Sequence, residues 1–491
     1  MKRITASFLV LAMMAIASLA KADNITLEQA KDAAAHYMSH HSLNENINAK
    51  DLMLTHQVDN EELGIPAAYF FNVNGGGWLI MAGTTVVHPI IAFSAKGELD
   101  MDNAPDNMRW YLNGYIGEVK DAQRIDAEED LPDSPEWVLL ANHALKGNAK
   151  DGNEVVLSQA EWDQGSPYPT SARRSFNKFC PQYNGYYTYV GCGATALAQL
   201  CYYYRYPVHG ADQVKTYTAT SIGNRTLSLD FDTVFLDYDN MRNVITSRLS
   251  QTYIDAIAWV SYVCGIASSM QYGIDGSSTT AEDVNEGAAA YLKYQSGSVV
   301  YRSRVRTPRY VTLIRRALKN NDIVYMRGAD PGGEGRDAGG HAWLCIGYQN
   351  DDTTMYYMNW GWGGSDNGFF NVSGNQLVTT SYTFSDQQGI INGLVPPEDS
   401  NIHHAHVAID RVDSPVTLQA AYPNPTSDYV TVPFATDRPG ELQVYSIDGR
   451  QMTSVHLSAG SGEAHISTAS MPAGIYIYRL HNATGKFVVQ R

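Results

Sequence analysis

A cysteine lies between two glycines at the start of a helix-forming segment, TYVGCGATALAQLCYYYRY, which covers residues 188–206. Residues 188–191 do not favour a helix, whereas the residues from Ala194 to Leu200 are strong helix formers. The pattern therefore predicts Cys192 in the first turn of a helix. There the unpaired backbone N–H groups and the helix dipole favour a thiolate, which makes Cys192 a candidate nucleophile. A small buried residue at a tight helix start fits this segment equally well.

The N-terminus indicates export from the cytoplasm. It has two basic residues, an apolar run, and an Ala-x-Ala pattern at Ala20 and Ala22. This arrangement is typical of a secretory signal peptide, so we predict that residues 1–22 are removed. The apolar run is too short to span a bilayer comfortably. The net charge of −16 argues against nucleic acid or an anionic membrane surface as a partner.

The cysteine content predicts free thiols in spite of export. The chain has five cysteines, which are Cys180, Cys192, Cys201, Cys264 and Cys345. Because five is odd, at least one thiol is unpaired, and a mostly reduced set is also consistent with the count. Cys192 and Cys201 would lie on opposite faces of one helix, about 13 Å apart along its axis, and cannot pair. Cys264 lies in an apolar helical pattern and is predicted to be a core residue.

The chain divides by pattern into three blocks. The first block, residues 23–150, mixes helical and strand patterns and ends near a polar stretch, Lys146–Glu154, that we predict to be an exposed linker open to proteases. The second block, residues 151–396, begins with helical patterns and finishes with aromatic strands, which predicts an α+β domain with two facing lobes. A linker, residues 397–410, precedes the third block, residues 411–491, predicted to be a small antiparallel β-sandwich. Helical patterns within these blocks include residues 107–126, 251–267 and 311–319.

His341 is the candidate base for the thiol. It follows the glycine-rich loop RGADPGGEGRDAGG and opens the apolar strand HAWLCIGY, an arrangement that presents a side chain at the rim of a cleft. It lies 149 residues after Cys192, within the range of about 130–150 found in papain-like enzymes. The structural alternative is a histidine at the start of a strand, beside a turn.

Two further segments complete a candidate catalytic set. In MNWGWGG, Asn359 could accept a hydrogen bond from the imidazole, and the indole of Trp360 could shield that bond from water. In WDQGSPYP, Gln164 could donate its amide to an oxyanion beside the backbone N–H of Cys192. The order Gln, Cys, His, Asn-Trp indicates thiol-dependent acyl transfer that needs no cofactor, only a reduced thiol.

Four segments resemble the streptopain family of papain-like cysteine peptidases: WDQGSPYP, GCGATALAQL, GGHAWLCIGY and MNWGWGGSDNGFF. The resemblance covers nearly all of the second block, and the strands YFFNVNGGGWLIMAGTTVVHPIIAFSAKGELD of the first block resemble the family's inhibitory propeptide. It implies a papain-like fold and an endopeptidase that cuts proteins and peptides, with a hydrophobic preference two residues before the cut. The roles it implies are nucleophile for Cys192, base for His341, oxyanion donor for Gln164, and orientation of the imidazole by Asn359 or Trp360.

The third block resembles a type IX secretion sorting domain in YPNPTSDYVTV, VYSIDGRQM and MPAGIYIYRL. That resemblance implies a Gram-negative bacterium, outer-membrane secretion machinery as a partner, and a secreted or surface-bound product that passes through the periplasm. Two other functions remain open for the same thiol and imidazole: a non-peptidase amidase or acyltransferase, and an adhesin with an inert papain-like domain. The adhesin is disfavoured because all four catalytic segments are intact.

Overall fold

The computed structural model describes residues 24–41, 47–129, 131–141, 154–165, 175–245, 249–305, 307–329, 340–350, 352–372, 388–398, 417–418, 421–436, 439–446, 450–480 and 483–490. The predicted signal peptide, residues 330–339 of the glycine-rich loop before His341, and most of the predicted linkers at 146–154 and 397–410 lie outside these residues. The described residues form two compact units that divide near residue 408.

Seven α-helices occur in the described residues. They are α1 (Leu27–His41), α2 (Asp106–Glu129), α3 (Pro135–Ala141), α4 (Cys192–Tyr204), α5 (Gln251–Ala267), α6 (Ala281–Leu292) and α7 (Thr307–Lys319). The predicted bounds of α5 are confirmed, whereas α2 and α7 begin earlier than their apolar patterns do. In α7 the additional turn contains Pro308, whose missing N–H costs nothing in the first turn of a helix.

The first unit contains fifteen described strands. They are β1 (Leu52–Asn60), β2 (Ile65–Val73), β3 (Trp78–Ala82), β4 (Ile90–Ser94), β5 (Glu154–Val156), β6 (Gln182–Tyr183), β7 (Tyr186–Tyr187), β8 (Val214–Ala219), β9 (Arg225–Asp230), β10 (Ser298–Tyr301), β11 (Val324–Ala329), β12 (Gly340–Gln349), β13 (Met355–Asn359), β14 (Gly368–Asn371) and β15 (Gly389–Asn392). Eleven of them form one sheet in the order β1-β2-β3-β4-β14-β13-β12-β11-β15-β10, with β5 paired to β12.

This sheet joins the first block to the second. Strand β4 of the first block pairs antiparallel with β14 of the second, with Phe93 opposite Phe369 and Ala92 opposite Phe370. The aromatic rings of Phe93 and Phe369 also stack, with centroids 5.2 Å apart. The two blocks therefore share hydrogen bonds and a core, rather than meeting only at a surface.

Helix α4 lies at the centre of the second block and packs against α5, α6 and β12. Its alanines and its single glycine allow this close approach, and every residue from Gly193 to Cys201 is buried. Cys264 is completely buried in α5, which confirms the prediction for it, and its sulfur lies 3.9 Å from that of Cys201. All five cysteines are free thiols, and Cys192 alone among them is partly exposed.

The second unit is a β-sandwich, as predicted. Its strands are β16 (Thr417–Leu418), β17 (Tyr429–Thr436), β18 (Gly440–Ser446), β19 (Gln451–Leu457), β20 (Gly460–Ser467), β21 (Gly474–Leu480) and β22 (Ala483–Val489). They form antiparallel sheets in the orders β16-β17-β20 and β19-β18-β21-β22. Inward residues from both sheets, including Val430, Leu442 and Phe487, make one core. None of the described helices in either unit combines the length and apolar character needed to cross a bilayer.

Candidate active site

Cys192 is the first residue of α4, as the sequence predicts, and both flanking glycines are required there. Gly191 has φ +88°, a left-handed conformation, and a Cβ on it would lie 2.9 Å from the carbonyl oxygen of Ser277. A Cβ on Gly193 would lie 2.5 Å from the methyl group of Thr279. The helix therefore begins pressed against the loop before α6, which holds the Cys192 sulfur in one place.

The thiol is in its neutral form in this arrangement. Burial raises the pKa of Cys192, although the backbone N–H groups of Ala342, Gly193 and Cys192 itself act in the opposite direction. The expectation of a lowered thiol pKa at the helix N-terminus is therefore wrong for this state. The donors are present, but desolvation outweighs them.

His341 and Cys192 line the same small cavity. His341 is the second residue of β12 and lies opposite Gly328 of β11. The cavity also touches Tyr325 and Arg327, and its volume is about 20 Å³. A space of this size holds on the order of one water molecule and cannot accept a peptide.

Gln164 is placed close to the nucleophile by the backbone. Its carbonyl oxygen accepts a hydrogen bond of 3.0 Å from the N–H of Val190, two residues before Cys192. The Gln164 side chain is buried. The segment that ends at Gln164 thus lies alongside the loop that leads into α4.

The side-chain amide of Asn359, the last residue of β13, forms hydrogen bonds with other parts of the second block. Its Nδ2 donates to the carbonyl oxygen of Ala160 at 2.6 Å and to Oε1 of Gln199 at 3.0 Å. Its Oδ1 accepts from the N–H of Gly361 at 3.1 Å. The amide joins three chain segments, and its exposed fraction is 1%.

The neighbouring Trp360 is anchored through its backbone and its ring. Its N–H donates to Asn367 Oδ1 at 3.0 Å, and its indole N–H donates to the carbonyl oxygen of Asp366 at 3.2 Å. The ring packs against Trp343 and Phe370, with centroid separations of 5.3 and 4.8 Å. Both Asn359 and Trp360 are therefore part of a rigid corner behind the site.

Helix α2 of the first block reaches into this corner, which sequence reasoning missed. Asn107 is 1% exposed, and its Nδ2 donates to the carbonyl oxygen of Trp360 at 2.8 Å and that of Ala342 at 3.4 Å. The Trp110 ring lies 6.4 Å from that of His341, centroid to centroid. A Cβ on Gly328 would be 2.2 Å from two atoms of the Trp110 ring, so the indole fills the space above that glycine. Nothing in the local pattern of α2 distinguishes these residues from ordinary helix residues.

Two histidine–carboxylate pairs also join the blocks. His88 Nε2 lies 3.2 Å from Asp352 Oδ2, with both side chains buried, and His41 Nδ1 lies 3.0 Å from Glu154 Oε1. Burial lowers the pKa of His88, but the carboxylates of Asp352 and Glu136 more than reverse this, so its pKa is raised. Burial would raise the pKa of Asp352, but the His88 imidazolium holds it at about 2. Docking therefore favours the ionised forms of His88 and Asp352.

A larger cavity of about 300 Å³ lies elsewhere between the two blocks. It contains neither Cys192 nor His341, and its lining includes Asp100, Glu161 and Asp366. Burial and the nearby Asp100 raise the pKa of Asp366 to about 6. Within the described part of the chain, no group of three or more His, Cys, Asp or Glu side chains is arranged to hold a metal ion.

Comparisons with known families match all three blocks. Residues 22–119 match the Spi protease inhibitor family, residues 162–370 match the Peptidase C10 family, and residues 420–490 match the secretion system C-terminal sorting domain. The matches follow the order that the sequence resemblance implies and confirm it.

Individual proteins with similar sequences or folds are consistent with these family matches. The chain is 28% identical over 319 residues to the thiol protease/hemagglutinin PrtT of Porphyromonas gingivalis. The matched region is 62% of this chain but only 34% of PrtT, so the chain spans about a third of the length of that relative. It is 26% identical over 339 residues to streptopain of Streptococcus pyogenes, covering 66% of this chain and 78% of that protein. A prointerpain A fragment of Prevotella intermedia has a similar fold, with a TM-score of 0.56 at 21% identity over 70% of this chain and 99% of that one.

Proposed function

We propose that this chain, whose residues 162–370 match the Peptidase C10 family, is a secreted cysteine endopeptidase made as a zymogen, in which Cys192 is the nucleophile and His341 is the base. The observation that carries the proposal is that both side chains line one small cavity, and that the ring of Trp110, on helix α2 of the inhibitor-like first block, lies 6.4 Å from the His341 ring. The substrates are peptide bonds in proteins, and the reaction proceeds through an acyl-enzyme.

The proposed reaction uses these groups in turn. His341 takes the proton of the Cys192 thiol, and the thiolate attacks the substrate carbonyl carbon. The backbone N–H of Cys192 and the amide of Gln164 donate to the oxyanion that forms. His341 then protonates the leaving amine, the acyl group remains on sulfur, and a water molecule activated by the same imidazole releases it.

Latency has a direct physical basis in this proposal. In the zymogen the cavity holds about one water molecule, and burial raises the pKa of the Cys192 thiol, which disfavours the thiolate. Removal of the first block would take the Trp110 ring away from His341 and Gly328. Greater access of solvent to this region would lower the cost of a thiolate, while the helix-start N–H groups remain. It would also release the Trp360 carbonyl oxygen from its hydrogen bond with Asn107.

Cleavage within residues 146–154 would separate the first block from the second. Strand β5 begins at Glu154 and pairs with β12, so the new N-terminus would remain attached to the main sheet. The C-terminal sorting domain would direct the precursor through the periplasm and across the outer membrane of a Gram-negative bacterium, to the medium or the cell surface.

The test is proteolysis by the purified protein with and without Cys192. We expect the processed wild type to cleave a fluorogenic peptide and a protein such as casein, and a thiol-directed epoxide to abolish both activities. Cys192→Ala should leave less than about a thousandth of the activity, while Cys264→Ala, a control at a core thiol, should remain active. Turnover of small amides without protein cleavage would instead indicate an amidase or acyltransferase. No turnover at all would indicate an inert domain.

A further inference from the structure

Gln199 is a buried amide on the helix that carries the nucleophile. It lies seven residues after Cys192 in α4, which places it on the same face of the helix about 10 Å further along the axis. Its exposed fraction is 1%. A polar side chain buried this deeply needs hydrogen-bond partners, and those partners show which segments it joins.

The Oε1 of Gln199 accepts from two other segments of the second block. Asn359 Nδ2 donates to it at 3.0 Å, and the backbone N–H of Trp162 donates to it at 3.4 Å. Asn359 Nδ2 also donates to the carbonyl oxygen of Ala160 at 2.6 Å. The two amides therefore tie α4 and the end of β13 to residues 160–162.

Residues 160–162 lead directly to the oxyanion donor, Gln164. Further contacts fix the course of this segment: the Trp162 carbonyl accepts from Gly363 N–H at 3.1 Å, and the Trp162 ring lies 4.9 Å from that of Tyr202 on α4. At its other end, the Gln164 carbonyl accepts from Val190 N–H at 3.0 Å. An oxyanion donor must be held within about 0.5 Å of its productive position, so a loosened segment would lose its effect.

We infer that Asn359 and Gln199 are positioning residues that hold Gln164 in line with Cys192, and that Asn359 does not orient the imidazole of His341. Asn359 Oδ1, the atom that could accept from an imidazole, already accepts from Gly361 N–H, and its Nδ2 holds Ala160 and Gln199. This inference rests on the proposed peptidase function, because it concerns the oxyanion of that reaction.

The principal experiment is a double-mutant cycle on the processed enzyme. Gln164→Ala is expected to lower kcat by about 10²–10³-fold with little change in KM, as the loss of an oxyanion donor does. Asn359→Ala should lower kcat about 10–100-fold, also with little change in KM. In the double variant Asn359→Ala should add less than about threefold, because the donor that it positions is already gone. Multiplicative losses would overturn the inference.

A second measurement separates the oxyanion from the thiol–imidazole pair. Alkylation by iodoacetamide needs the thiolate but no oxyanion donor, so its pH profile reports the Cys192–His341 pair alone. Asn359→Ala should leave that profile within 0.3 pH units of wild type, on the order of experimental error. A larger shift would assign Asn359 to the imidazole and refute the inference.

Two substitutions of Gln199 form a matched pair. Gln199→Glu, in the protonated form that burial favours, keeps the Oε1 acceptor and places a hydroxyl where Nε2 is buried without a hydrogen-bond partner among the described residues, so it should retain most of kcat. Gln199→Met removes the acceptor and should reproduce Asn359→Ala. Equal losses in both would refute the role of the acceptor.

Failure to fold and failure of the proposed function are each recognisable. If neither Asn359→Ala nor Gln199→Met yields a folded zymogen by thermal unfolding, the pair is a folding requirement and the positioning role is rejected. If the wild type does not cleave peptides, the proposed function fails first. If the wild type does cleave and the losses multiply, only this inference fails.

Discussion

Gly328→Ala is expected to weaken binding of the first block to the processed enzyme through one steric contact. Gly328 lies in β11 opposite His341, and the three atoms nearest to a Cβ built on it all belong to the Trp110 ring, at 2.2, 2.2 and 3.0 Å. Ordinary contacts of this kind are about 3.5–4.0 Å, so the ring must move. Overpacking of this kind costs about 1–3 kcal/mol, which is about 5- to 150-fold in Ki.

The assay measures inhibition by a separately expressed fragment of residues 23–150. Progress curves with a fluorogenic peptide give Ki for the wild-type and Gly328→Ala enzymes, each referred to its own uninhibited rate. A Trp110→Ala fragment serves as the matched partner. It loses the contact of a half-buried indole, about 2–3 kcal/mol, but it also removes the atoms that would clash.

The reasoning requires strong coupling between the two positions. The Trp110→Ala fragment should bind both enzymes with the same Ki within about threefold, whereas the wild-type fragment should distinguish them by about 5- to 150-fold. If Gly328→Ala weakened both fragments equally, the effect would not pass through Trp110, and the packing argument would be refuted. If neither fragment inhibited at micromolar concentration, the inhibitory role of the first block would be rejected.

Three other predictions concern pH, the helix start and the tail. In the docked structure the pKa of His88 is raised above the free-histidine value of about 6.5, and that of Asp352 is lowered to about 2. The pair therefore stabilises docking fully from the ordinary carboxyl pKa of about 4 up to about pH 6.5, and this stabilisation is lost as the pH rises through the raised His88 value. Ki should therefore increase with pH from about 6.5 upward, and His88→Leu should reduce this dependence on pH. A wild-type Ki that did not change with pH would contradict a role of the His88–Asp352 pair in docking. Gly191→Ala should lower both activity and the midpoint of thermal unfolding, because it strains a backbone with φ +88° and brings the new Cβ to 2.9 Å from the carbonyl oxygen of Ser277. Gly185→Ala is the control for backbone strain alone, since Gly185 also has a positive φ but nothing lies within 4 Å of its Cβ. An equal loss of activity in Gly185→Ala would contradict the packing argument. Deletion from residue 411 onward should leave peptidase activity intact and retain the protein in the periplasm; fractionation that found it in the medium with an intact outer membrane would disprove the sorting role.

Features that depend on neighbouring residues could be predicted from the sequence. The bounds of α5, the helix start at Cys192 and the alternating strands of the third block follow from local periodicity, helix propensity and turn residues. The order of the Gln164, Cys192, His341 and Trp360 segments predicted thiol-dependent chemistry, because each segment carries its own residue type and spacing, and the match of residues 162–370 to the Peptidase C10 family agrees with that prediction. The role of each side chain did not follow, since a motif names a residue but not its partners.

What the tertiary structure alone decided depends on contacts between distant parts of the chain. The pairing of β4 with β14 joins residues near 93 and 369, and no local pattern specifies which strand edges meet. Asn359 has the residue type of an imidazole partner, yet its hydrogen bonds go to Ala160, Gln199 and Gly361. The direction of the Cys192 pKa shift was predicted wrongly for the same reason. The helix start that favours a thiolate is local, but the burial that outweighs it comes from chain segments far away in the sequence.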